Sequence, residues 1–148
     1  MVSPGEASMK VITGAGSFTP PDEPDGAHWV EQLRVADLSV GSYSIPRGGR
    51  DDQEPHTEDE IYVVTAGRAV LEAGEGEAGG DEAGRGETGR GETGRGETGR
   101  DRVAVGPGSV VFVPAGEVHR FTDVTEDLAT IVVFAPAEGA RDTVRHVG

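Results

Sequence analysis

Between Gly48 and Gly67 the sequence reads GGRDDQEPHTEDEIYVVTAG. It sets an imidazole, His56, four residues before a carboxylate, Glu60, and then enters an apolar, β-prone run. On an extended strand every second side chain faces the same way. Glu54, His56, Glu60 and Tyr62 are therefore expected on one face, and Gln53, Asp59 and Ile61 on the other. An imidazole beside a carboxylate supplies two ligands for a borderline divalent metal. A third ligand has to come from elsewhere in the chain, and His119 is the best candidate. The chain has no cysteine. Thiolate zinc sites, disulfides and a cysteine nucleophile are excluded, so any metal must rest on histidine and carboxylate. Ser44 and Ser109 stand in no Ser/His/Asp pattern, which argues against a triad hydrolase.

The elements that must position these groups lie in a chain of 148 residues, a length for one domain with a single core. The formal charge of −14 argues against nucleic acid and anionic membranes as partners, since both attract basic patches. It would draw a metal cation. The start of the chain, MVSPGEASMKVITG, has no apolar core long enough for a signal peptide or a span, so a cytoplasmic protein is expected. Met9 precedes a more strand-like run and is an alternative start to Met1.

Strand signals then follow in order. Lys10–Gly14 is expected as a short edge strand, and residues 16–27 as loop, given Pro20, Pro21 and Pro24. Trp29 is expected to anchor the core. Leu38–Ile45, Glu60–Ala66, Arg68–Leu71, Val103–Val105, Ser109–Val113 and Ala129–Phe134 read as strands, with Gly/Pro turns between them. Val118–Phe121 carries His119. Residues 74–100 break the pattern: RGETG recurs in tandem at 85–89, 90–94 and 95–99. The repeat has no large apolar side chain and cannot offset the entropy of ordering it. It is expected to be a flexible, solvated insertion, tolerated because loop closure costs grow slowly with length. The organisation expected is an extension and loop over 1–27, a barrel over 28–135 interrupted by the insertion at 74–100, and a polar tail over 136–148. Short strands and turns without a helical period indicate an all-β sandwich or barrel.

These residues resemble the two motifs of small single-domain cupins. Gly48, Glu54, His56, Glu60 and Gly67 fall at the spacing of the first motif, and Gly108, Pro114, Gly116, His119 and Asp123 at that of the second. Glu54 stands where the family has its first histidine, and Asp123 where it has an asparagine. The resemblance implies a double-stranded β-helix (jelly-roll) barrel and, at His56, Glu60 and His119, ligands for iron, manganese, nickel or zinc. It also implies a homodimer.

Glu54 is the candidate fourth ligand, with Gln53 as its competitor because Pro55 can kink the strand and exchange the two. Neither acting is the third alternative. Tyr62, Phe112 and Phe121 are candidate walls of an apolar pocket, or core. Asp123 is a candidate for orienting a ligand or capping a turn. Glu58 and Asp59 are expected in solvent. The fold hosts many activities, which leaves three readings. One is a metal-dependent enzyme on a small organic molecule, a dioxygenase before an isomerase. Another is a binding module without turnover. The last is an interaction protein that works through its RGETG repeats.

Overall fold

The computed structural model describes residues 9–51, 55–74, 93–95 and 101–140. They hold seven strands: β1 (His28–Val35), β2 (Leu38–Ile45), β3 (Asp59–Ala73), β4 (Thr93–Arg95), β5 (Asp101–Val105), β6 (Val110–Val113) and β7 (His119–Ala135). All pairings are antiparallel, in the order β1-β2-β7-β3-β5-β4, with β6 also on β3.

The two long strands organise the rest. β3 runs against β7 from Asp59↔Ala135 to Ala73↔His119, with register shifts between Val64 and Val70. On its other side β3 meets β6 along Glu60–Val63 and β5 along Ala69–Ala73. The sequence reading stops a strand at Gly67 and starts another. The structure instead bends one strand there, because the ladder with β7 continues through bulges. Gly67 has φ +89°, and a Cβ on it would lie 2.1 Å from the Asp127 carbonyl oxygen. Only glycine lets β3 and β7 approach so closely at the bend. In the same way His119–Phe121 and Ala129–Phe134 are parts of the single strand β7.

The core follows from period-two alternation. Ile45, Tyr62, Val64, Leu128, Val132 and Phe134 are buried on the inner faces of β2, β3 and β7. Each large side chain so buried stabilises the fold by about 1.5–3 kcal/mol. β2 is buried on both faces. Tyr43 and Ile45 point to the core, while Ser42 and Ser44 accept hydrogen bonds from Gly16 N (2.9 Å) and Thr19 N (3.0 Å). The N-terminal segment thus lies across β2 through side-chain hydrogen bonds. Residues 10–14, expected as an edge strand, form none, and Met9 and Val11 are exposed.

Part of the expected insertion is paired: Thr93–Arg95 forms β4 against Asp101–Val103 of β5. Residues 93–95 fall in the second and third RGETG repeats; residues 75–92 and 96–100, with the rest of the repeats, lie outside the described residues, as does the tail beyond residue 140. Among the described residues no helix is long and apolar enough to cross a membrane.

Candidate functional site

β3 carries the centre of the site. Glu60 and Tyr62 alternate inward and are buried, while Ile61 between them is 37% exposed. His119 opens β7 and is also buried. Its Nδ1 lies 2.9 Å from the Glu117 carbonyl oxygen. A carbonyl can only accept, so Nδ1 carries the hydrogen and neutral Nε2 presents a lone pair. The Tyr62 hydroxyl, 3.1 Å away, donates to that lone pair.

Glu60 Oε1 is 3.0 Å from the same Nε2. The approach is off the direction of a hydrogen bond, and Oε1 is a buried oxygen with no hydrogen-bond partner. The contact is therefore electrostatic. In the neutral tautomer a carboxylate oxygen and an imidazole lone pair face each other with no hydrogen between them, an arrangement that a proton or a metal cation relieves. The His119 pKa reflects this. Burial lowers it, but the Glu60 carboxylate, the Glu117 carbonyl and the charge of Asp51 together outweigh burial and raise it above its ordinary value.

His56 sits in the loop before β3, where its carbonyl accepts from Gly116 N at 2.7 Å. It does not share a strand with Glu60, as the spacing had suggested, because β3 begins only at Asp59. Its ring packs on Phe134 (centroids 4.6 Å) and stands 6.1 Å from the ring of His119. His56 Nδ1 is 3.7 Å from Glu138 Oε2. Burial raises the Glu138 carboxyl above its ordinary value, and His56 partly opposes this.

A cavity of about 200 Å³ opens over this group, lined by Trp29, Tyr43, His56, Glu60, Tyr62, Val132, Phe134 and Glu138. Trp29 packs edgewise on Tyr43 and Phe134 at 6.4 and 6.1 Å. It is a wall of the cavity, 37% exposed, where the sequence suggested a core anchor. Gly41 makes room for it: a Cβ there would lie 2.3 Å from the indole.

Comparisons place the chain. No family model matches it. It is 36% identical over 114 residues to the uncharacterized protein SCO3923 of Streptomyces coelicolor, covering 77% of this chain and 84% of the relative. Among solved structures, a conserved protein with a double-stranded β-helix domain from Klebsiella pneumoniae superposes with TM-score 0.54 at 16% identity, over 80% of this chain and 83% of that one. An RmlC-like cupin with a double-stranded β-helix fold from Methanocaldococcus jannaschii gives 0.53 at 12% identity, over 80% and 88%. KdgF from a Halomonas species gives 0.53 at 19%, over 78% and 84%. The chain belongs to one family with SCO3923, and its fold is that of the double-stranded β-helix cupin structures. The jelly-roll barrel expected from the motifs is the fold observed.

Within this fold the expected site residues divide. Glu60 and His119 touch, Tyr62 joins them, and His56 lines the same cavity. Glu54 and Gln53 lie outside the described residues. Phe121 is buried behind Tyr62 at 4.8 Å, in the core rather than on the cavity wall. Phe112 is 59% exposed and lines a different cavity, because the register Ile61↔Phe112 puts both on the outer face. Asp123, at φ 50°, accepts from Arg102 at 3.3 Å on the surface. Glu58 is buried, against expectation, and accepts from Thr57 Oγ1 at 2.7 Å. Among the described residues no three His, Asp or Glu side chains gather tightly enough to hold a metal ion.

Two neighbours of the site had no signal in the sequence. Asp51 is buried and accepts from the Tyr43 hydroxyl (2.6 Å) and from Phe121 N (2.8 Å), tying a cavity wall to β7. Glu138 follows β7 in what reads as a polar tail.

Proposed function

We propose that this cupin binds a divalent metal ion through His56, Glu60 and His119 and takes a small organic molecule into the adjoining cavity as a metal-dependent oxygenase. The observation that carries the reading is the buried Glu60 Oε1, without a hydrogen-bond donor, 3.0 Å from the inward-facing nitrogen of His119. Two imidazoles and a carboxylate suit iron, manganese, nickel or zinc. Such an ion would supply a Lewis acid with open positions for oxygen or substrate.

The chain's own residues do the remainder. The Glu117 carbonyl fixes the His119 tautomer and turns Nε2 inward, as outer partners of ligating histidines commonly do. The Tyr62 hydroxyl holds a proton within reach of the cavity. Trp29, Val132 and Phe134 give apolar walls that exclude water and receive the carbon skeleton of a ligand.

A second reading is favoured by the same contact. The raised pKa of His119 lets a proton take the place of a metal beside Glu60. The cupin would then bind its ligand without turnover. Titration calorimetry with manganese, iron(II), nickel and zinc into chelator-treated protein separates the two. The oxygenase reading expects saturable uptake of one ion per chain, lost in His119→Ala, and oxygen consumption when a cavity ligand is added. Absence of uptake for all four ions leaves the non-catalytic module.

A further inference from the structure

The cavity carries a charge pattern that metal binding does not use. Glu138 enters it from the turn after β7. Both of its backbone polar groups are held: its N–H donates to Ser39 Oγ at 2.9 Å, and its carbonyl accepts from Arg34 Nη2 at 2.8 Å. The carboxylate is therefore presented from a fixed point. Arg34, which grips the carbonyl, also donates twice to Glu31, at 2.9 and 2.8 Å. His56 Nδ1, at 3.7 Å from Glu138 Oε2, is beyond hydrogen-bond range.

No lysine or arginine lines the cavity among the described residues, whereas two carboxylates do, Glu60 and Glu138. The rings of Trp29, Tyr43 and Phe134 stand beside them. Carboxylates set among aromatic rings match a cation with a carbon shell: the charge meets the carboxylate and the alkyl groups meet the rings. An anionic ligand would meet like charge from both carboxylates.

We infer that the occupant is a small organic cation, a protonated amine or quaternary ammonium, and that Glu138 selects its charge. This rests on the reading that the cavity is the ligand site, and it applies to the metal-free cavity. A divalent ion at the other candidate ligands would draw on Glu60 and leave Glu138 to the ligand. At about 200 Å³ the space is below that of drug-sized pockets, so the occupant has few carbons.

The test compares choline with its neutral carbon isostere, 3,3-dimethyl-1-butanol, on the full chain with and without zinc. The chain's single tryptophan, Trp29, is in the cavity wall and reports binding through its indole N–H resonance. The expected result is choline at least about tenfold tighter than the isostere, with the gap closing to about threefold or less in Glu138→Gln. Glu138→Asp, which keeps the charge, keeps the preference. Equal affinity for the two probes overturns the inference while leaving the cavity as the ligand site. If neither probe moves the Trp29 signal, both readings fail. If Glu138→Gln melts like the parent yet weakens both probes equally, Glu138 shapes the pocket and does not select charge.

Discussion

Two cavities among the described residues are nearly equal in size, one of about 200 Å³ beside Glu60 and one of about 220 Å³ against β5 and β6. They differ in what faces inward. The first gathers Glu60, His56, Glu138 and the Tyr62 hydroxyl on apolar walls. The second is lined mainly by Leu71, Val103, Val111, Phe112 and Val113, with Asp101 and Glu117 as its carboxylates. Volume therefore does not distinguish a site from a packing gap. The convergence of buried polar groups does.

Glu117 makes the contrast sharp, because it serves both. Its backbone carbonyl fixes His119 beside the first cavity while its side chain lines the second. The largest expected effect exploits this. His119→Ala or Glu60→Gln should weaken zinc or manganese binding by more than about 100-fold, each removing a ligand. Glu117→Ala keeps the carbonyl and should stay within about threefold. Calorimetric titration reads all three, and an equal loss in Glu117→Ala would erase the distinction between the cavities.

Stability gives the next largest contrast. Asp51→Ala leaves the buried Tyr43 hydroxyl and Phe121 N–H without their carboxylate, at a cost of about 2–4 kcal/mol. Phe112→Ser, at an exposed position beside the second cavity, should change stability by no more than about 0.5 kcal/mol. Urea unfolding measures both. A mild Asp51→Ala would mean that the first cavity's wall is held by packing alone.

The smallest effect is a pH dependence. His119 has a raised folded pKa, so the folded metal-free protein holds its proton more tightly than the unfolded chain does. The stabilisation is complete below the ordinary histidine pKa of about 6.5 and is lost as pH rises through the folded value. Melting temperature of the metal-free protein should fall over that window, and the fall should shrink in Glu60→Gln. A flat profile would mean that Glu60 and His119 do not share charge.

The legible parts of the molecule were those set by local pattern. Period-two alternation placed Glu60 and Tyr62 inward, and the spacing of the second motif brought His119 to them. The bend at Gly67 was misread as an end, because a strand that bends and a strand that stops share the same glycine. His56 was assigned to the strand because alternation was carried back through Pro55, where the chain is loop. Asp51 and Glu138 had no local signature at all. Their roles come from contacts with Phe121, 70 residues on, and with Ser39, 99 residues back. Phe112, a candidate for pocket wall or core, is on the outer face; an aromatic in a short strand carries no mark of which face is buried.

The central claim is that Glu60 and His119, with His56, form a seat for a cation. Elemental analysis of the protein purified without added metal, alongside His119→Ala prepared the same way, tests it most directly. The account predicts close to one equivalent of a single divalent transition metal per chain in the parent, and a small fraction of that in the variant. Parent protein with less than about 0.2 equivalents that takes up no iron, manganese, nickel or zinc on incubation would contradict it.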